Sequence, residues 1–227
     1  MKKILTARSF LIFVLAVFVI MSVYLVVLMS LPEARDSLNF LVRSDHNFLL
    51  LYCISAIAGL FVPHIIKKWW GFAISGTMSV IYTGFIFAAL FLGTLMNFYD
   101  IFPFWDDMLH FFSGITLAIL GFAILDIMQK QTPQRISAVG VAIFALCFAM
   151  ALGKLWEIYE FLIDYFLGTN TQRFMDSDGV PFVGQEALMD TMIDMIFNTA
   201  GAIIASIWGY RRLKGKGWPK GLSIVKV

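Results

Sequence analysis

Charge is scarce in this sequence. Asp, Glu, Lys and Arg make up 14% of its 227 residues, where soluble domains carry roughly 25%. Cysteine is rarer still. Cys53 and Cys147 both lie within apolar runs and are expected to be buried small hydrophobes, and they supply neither a disulfide pair nor a metal quartet. No phosphate-binding glycine loop, nucleophile elbow, internal repeat or low-complexity linker occurs. The formal net charge of +2 is too small to suggest a nucleic-acid partner. What is abundant is apolar. The chain is 60% hydrophobic, with 23 Phe and a mean hydropathy of +0.83, the composition of a membrane protein.

Runs of about 20 apolar residues can cross the hydrocarbon core, and six are present: 9–30, 47–66, 71–96, 105–127, 136–166 and 188–210. The first follows Met1-Lys2-Lys3 like a signal peptide, but it is too long and no small-x-small cleavage site follows, so it is read as a retained helix. The expected fold is all-α: a polytopic transmembrane bundle of six helices in a single integral membrane domain, 1–227. Six spans place both termini on one side. That side holds thirteen Lys and Arg, against Arg35, Arg43 and Arg173 on the other, with Lys154 inside the fifth span. The positive-inside rule then puts both termini in the cytoplasm. Trp69 and Trp70 beside Lys67 and Lys68 read as an interfacial anchor, with His64 snorkelling nearby.

Against this apolar background, seven acids stand out: Asp106 and Asp107, then Glu157, Glu160 and Asp164, then Asp190 and Asp194. A charge at mid-bilayer costs about 2.5–3.5 kcal/mol on insertion scales, so such residues mark a cavity, a partner or an ion. With the termini inside, all seven fall at the outer ends of the last three spans. Each acidic stripe continues into small residues on the same helical face. These are Gly114, Ala118 and Gly121; Ala145, Ala149 and Gly153; and Gly201, Ala202 and Ala205. The inner halves are expected to pack closely, and the outer halves to splay around a polar pocket.

Several carboxylates then need protons, basic partners or a cation. Lys154 is placed to pair with Glu157. Asp107 with His110 forms a helical chelate at i, i+3, and Glu157 with Glu160 forms another. Asp190 with Asp194 forms a third at i, i+4. One His among carboxylates suits Mg²⁺, Mn²⁺ or Zn²⁺. Shared protons are the competing solution, and a structural network with carboxylates capping helix N-termini is a third. Two lesser features read as ordinary surface: Asp176-Ser177-Asp178-Gly179 as an exposed turn lacking a calcium loop's remaining ligands, and His46, beside Asp45, as a solvated loop residue. The basic tail from Arg211 fits a topology determinant lying on anionic lipid.

The chain resembles the YjdF-like family of bacterial inner-membrane proteins. The resemblance rests on Asp107-Met108-Leu109-His110-Phe111 with Gly114, Trp156-Glu157-Ile158-Tyr159-Glu160, Leu167-Gly168-Thr169 and Asp190-Thr191-Met192-Ile193-Asp194-Met195. It covers roughly the latter half of the chain. Residues 170–189 add polar sequence that the family lacks, so the pocket lid differs. More distantly, Asp194, Asn198 and Gly201 with the Asp-x-x-His-Phe helix look like VanZ-like proteins, a group associated with glycopeptide-antibiotic tolerance. These resemblances imply a bacterial cell membrane and, from the second, envelope chemistry.

Three functions fit the residues. The first is a metal-dependent enzyme acting on a lipid or lipid-linked envelope substrate. Glu157 or Glu160 would be the general base, and Asp107, His110, Asp190 and Asp194 the metal ligands. Lys154, Asp164, Arg173 and Asn198 would contact substrate, Arg173 by holding a phosphate. The second is a cation- or proton-coupled transporter using the same carboxylates. Six helices without inverted repeats give it little machinery for alternating access, although a homodimer would supply the missing half. The third is a non-catalytic module binding lipid headgroups or a partner.

Overall fold

The computed structural model describes residues 2–30, 46–133, 135–176 and 178–226. Among them are seven α-helices: α1 (Lys2–Ser30), α2 (His46–Trp70), α3 (Gly76–Ile86), α4 (Phe98–Ile101), α5 (Trp105–Gln131), α6 (Ala138–Leu167) and α7 (Met189–Gly215). Two three-residue strands, β1 (Phe72–Ile74) and β2 (Ile224–Lys226), complete the regular structure with short 3₁₀ turns. Among the described residues, six stretches are long and apolar enough to cross a membrane: Thr6–Ser30, His46–Trp70, Gly76–Leu95, Trp105–Gln131, Ala138–Leu167 and Glu186–Gly215. The architecture is the expected all-α polytopic bundle. Arg35, Arg43 and Asp45, which entered the charge argument and the first loop, lie outside the described residues, as does Ser177.

The chain divides into two compact units. The first comprises 1–105 and 224–227. Its core follows helical periodicity: Val14, Phe18 and Leu25 of α1 meet Leu49, Cys53, Ala56 and Leu60 of α2, and Leu95 closes the cluster. Tyr82 donates its hydroxyl to the Gly59 carbonyl at 2.7 Å, tying α3 to α2. The third span starts at Gly76, five residues later than its hydropathy suggests. Gly71 takes φ 69°, a left-handed turn that ends α2. Phe72–Ile74 then pair antiparallel with Ile224–Lys226. Ser75 caps α3 by accepting from the Met78 N–H, and Phe87–Leu95 carry the span on as a π-helix. His46 is the first residue of α2 and partly buried, where a loop residue was expected.

The second unit, 106–223, contains most of α5 and all of α6 and α7. Ser137 caps α6, and Gly168 ends it in the left-handed conformation with its N–H on the Asp164 carbonyl. The small-residue stripes are where these helices meet. A Cβ on Gly114 would collide with the Asn198 carbonyl, and one on Gly201 with the Phe111 carbonyl, so α5 and α7 touch backbone to backbone. Gly121 approaches Ala145 of α6 in the same way, an added Cβ lying 2.9 Å from the Ala145 Cα. Ala118, Ala149, Ala202 and Ala205 fill the space between. The basic tail is partly helical, since α7 runs through Arg211, Arg212 and Lys214. Beyond it Trp218 folds back to stack on Phe122, ring centroids 4.9 Å apart.

One expectation for cysteine is corrected. Cys53 is buried, but Cys147 is exposed on the outer face of α6. An apolar residue of a spanning helix has lipid available as an alternative to the protein interior, so apolar surroundings in sequence do not imply burial.

Candidate functional site

Asp106 of α5, Glu157 of α6 and Asp194 of α7 converge above the small-residue contacts, all within the second unit. His110 is at the centre. Its Nε2 lies 3.6 Å from Asp106 Oδ1, one turn back on α5, and 3.9 Å from Asp194 Oδ1 on α7. Its Nδ1 lies 3.7 Å from Glu157 Oε1 on α6. Exposure falls with depth. The side chains of Arg173 and Asp190 are 33% and 22% accessible and form the mouth. Glu157 and Asp194, at 5% and 2%, form the base. Asp194 is five residues into α7, about 7.5 Å of helix rise.

The separations are informative. At 3.6–3.9 Å the His110 contacts are too long for hydrogen bonds. Ligand atoms about 2.1 Å from one tetrahedral ion stand about 3.4 Å apart, close to these values. Asp106, His110 and Asp194 each present a ligand atom, all within 4.8 Å of one another, in an arrangement that could hold a metal ion. Both Glu157 oxygens and Asp194 Oδ1 are buried without a hydrogen-bond partner among the described residues. Buried charges without a partner are strongly disfavoured unless a proton or a cation is supplied.

The floor is polar and well connected. Asn198 donates its amide to Ser113 Oγ at 2.9 Å, and Ser113 donates to the His110 carbonyl at 2.7 Å. The Asn198 side chain fills the space that a Cβ on Gly153 would take. One amide thus connects α5 and α7 while packing on α6.

The loop after α6 forms the roof, and Asp164 holds it. Its Oδ1 accepts from Thr169 Oγ1 (2.6 Å), Thr171 N (2.7 Å) and Thr171 Oγ1 (2.7 Å), and its Oδ2 from Gln172 N (2.9 Å). Gln172 extends to Thr191 Oγ1 at 3.0 Å. This brings Arg173 over the mouth, with Nε 3.8 Å from Asp106 Oδ2 and 3.9 Å from Asp190 Oδ1. Farther on, Asp176 Oδ1 accepts from the Asp178 and Val180 N–H groups, so the acidic stretch there closes a tight turn.

The residues singled out from the sequence therefore separate. His110, Glu157, Asp194, Asp190 and Arg173 come together, with Asn198 beneath them. Asp107 is absent from the converging trio, and Asp106 takes the place expected of it. A step of i, i+4 serves a helical chelate as well as i, i+3 does, and only the rotation of α5 decides between neighbours. Glu160 accepts from Trp156 Nε1 at 2.9 Å on its own helix. Asp164 is saturated by loop donors. Lys154 is exposed and makes no ion pair with buried Glu157; the roughly 60° between i and i+3 positions carries it off the packed face. Ser113, Thr171 and Gln172 were not foreseen. Only the hydrophilic run Thr169-Asn170-Thr171-Gln172-Arg173 after a helix stop marks the loop in the sequence.

Comparison with known proteins places these residues in a family. An uncharacterized protein of Thermotoga maritima is 27% identical over 193 residues, covering 85% of this chain and 90% of that one. No solved structure matches. A family model described as a predicted membrane protein, DUF2238, matches residues 9–215. That stretch takes in the whole cluster with its floor and roof, and the chain belongs to the DUF2238 family of predicted membrane proteins.

Proposed function

We propose that the cluster binds a divalent cation, Mg²⁺, Mn²⁺ or Zn²⁺, and that the protein is a hydrolytic enzyme of the bacterial cell membrane. Its substrate is a lipid or lipid-linked envelope molecule reached from the outer face. The observation that carries this reading is the convergence of Asp106, His110 and Asp194 at ligand spacing beside unpaired, buried Glu157. The three would hold the ion, which would supply Lewis-acid activation of water. Glu157 would take the proton of the attacking water as the bond to the leaving oxygen breaks. The leaving oxygen then takes the proton back from Glu157, so water is the only co-reactant. The YjdF-like resemblance agrees with DUF2238 membership, and the VanZ-like one supports an envelope substrate.

Elemental analysis of the detergent-purified protein is expected to find about one equivalent of divalent metal, released by chelator with loss of thermal stability. Mass spectrometry of copurifying lipid would identify the substrate class. Metal-free protein that is indifferent to chelator would defeat the proposal.

The orientation is a proposal too, supported by the asymmetry of thirteen Lys and Arg against three. In a background with Cys53→Ala and Cys147→Ser, Val183→Cys, 85% exposed in the loop before α7, is expected to react with an impermeant thiol reagent on intact cells. Lys216→Cys should react only after permeabilisation. Reversed labelling would put the cluster on the cytoplasmic face.

A further inference from the structure

The end of α7 opposite the acidic cluster carries a cationic cleft without a counter-charge. No Asp or Glu occurs in the sequence after Asp194, whereas Arg211, Arg212, Lys214, Lys216, Lys220 and Lys226 all do. Arg211, Arg212 and Lys216 line a cleft of about 390 Å³ together with Trp208 and Gly215. Among the described residues none of these three cations pairs with a carboxylate, and Asp126, near the end of α5, is taken by Lys130 at 2.6 Å. Arg212 Nη1 is buried without a hydrogen-bond partner. A guanidinium N–H withheld from water costs free energy until an acceptor reaches it. The C-terminus of α7 offers only about half a negative charge, which three cations outweigh. The walls are fixed: Trp218 stacks on Phe122, meets Trp208 edge-on at 5.8 Å and donates its Nε1 to the Leu222 carbonyl at 2.7 Å.

Depth and the neighbouring surface identify the occupant. Arg211 stands about 32 Å of helix rise beyond Asp190, and the hydrocarbon core is about 30 Å thick, so the cleft lies at headgroup level. Trp208 is of the residue type enriched at that depth. One turn before Arg211, Ile207 lines an apolar groove of about 260 Å³ between α6 and α7, with Val139, Ile143, Leu146, Ile203 and Tyr210. We infer that the chain binds one anionic phospholipid here, its phosphodiester among Arg211, Arg212 and Lys216 and an acyl chain along the α6–α7 groove. Arg212 supplies planar N–H donors to the phosphate oxygens, and Arg211 and Lys216 add charge. A zwitterionic lipid brings a cation that these three repel, and a free phosphate brings no chain to fill the groove. Such a site is more than the diffuse attraction of a basic tail to an anionic membrane, because it depends on the cleft residues and not on the tail's total charge. It is independent of the cation site proposed above.

The test is native mass spectrometry of the full-length protein in neutral detergent, titrated with phosphatidylglycerol or phosphatidylcholine, and with inorganic phosphate as competitor. One phosphatidylglycerol is expected to bind at least tenfold more tightly than phosphatidylcholine. Arg212→Gln should lower that affinity at least tenfold. Gly215→Phe should do the same with charge unchanged, since an added Cβ there meets nothing within 4 Å and the ring has the cleft to fill. Lys214→Gln combined with Lys220→Gln removes two tail charges that do not line the cleft, and should leave the affinity within threefold. A loss in that double variant equal to the loss in Arg212→Gln would reduce the site to diffuse charge and overturn the inference. Equal affinity of wild type for the two lipids would overturn it as well. Displacement of phosphatidylglycerol by equimolar inorganic phosphate would assign the cleft to a free anion and defeat the lipid reading. The wild-type comparison of the two lipids decides the matter even if a variant does not fold.

Discussion

Asp194→Asn is expected to abolish divalent-ion binding while leaving the bundle folded. The amide keeps the shape of a side chain that is 2% exposed but removes the charge, and places a poor ligand where Oδ1 faced His110 Nε2. Loss of partners that merely orient metal ligands weakens binding 10–100-fold, so loss of a ligand should exceed about 100-fold. Thermal melts give the readout. An ion at a hundred times its Kd stabilises the folded state by about 2.7 kcal/mol, so wild type should melt higher with Mn²⁺ and Asp194→Asn should not respond. Without metal the variant should be at least as stable as wild type, because a buried carboxylate oxygen without a partner has been replaced by a neutral group. The metal effect in wild type should also shrink as pH falls, since protons compete with the ion for His110 and the carboxylates. An equal metal-induced shift in variant and wild type would remove Asp194 from the ligand set.

Asp164→Asn carries the second large effect, and it falls on the roof alone. Four donors from Thr169, Thr171 and Gln172 converge on this carboxylate, and hydrogen bonds to a charged acceptor are worth about 1.5–3 kcal/mol each. Asparagine brings one acceptor and a donor into a place built only for acceptors. Hydrogen exchange of the peptide carrying the Thr171 and Gln172 amides should accelerate at least tenfold, with protection in the interior of α5–α7 unchanged. Unchanged protection at Thr171 and Gln172 would mean that the loop is held by something other than Asp164.

Much of this was legible in the sequence, and for one reason. Hydropathy reports the lipid-facing requirement directly, so six spans could be counted, and an acid that violates the requirement is conspicuous. That brought out the three helices of the cluster and the residues His110, Glu157 and Asp194. What the pattern does not carry is rotation about a helix axis finer than about 100° per residue. Hence periodicity does not separate Asp106, which joins the cluster, from Asp107, and it does not show that Lys154 faces away from Glu157. Cys147 illustrates a related limit: in lipid, apolarity does not distinguish inside from outside. The start of the third span was displaced because Phe72–Ile74 are as apolar as a helix and differ only in pairing with Ile224–Lys226. The role of Asp164 depends on where a short loop doubles back, which no periodicity encodes.

The glycine contacts beneath the cluster have a consequence for traffic through it. At Gly114 and Gly201 the peptide groups of α5 and α7 already touch, and Ala118, Ala149 and Ala202 plug the space toward the opposite membrane face. Helices in backbone contact cannot lean together any further, and parting them would strip packing from three segments at once. The acidic cluster therefore has closely packed backbone on one side of it within the unit, with Arg173 on the other. Under the hydrolysis proposed above, a reactant would be altered beside Glu157 and returned to the side it came from, whereas a solute carried between α5 and α7 would have to part the Gly114 and Gly201 contacts.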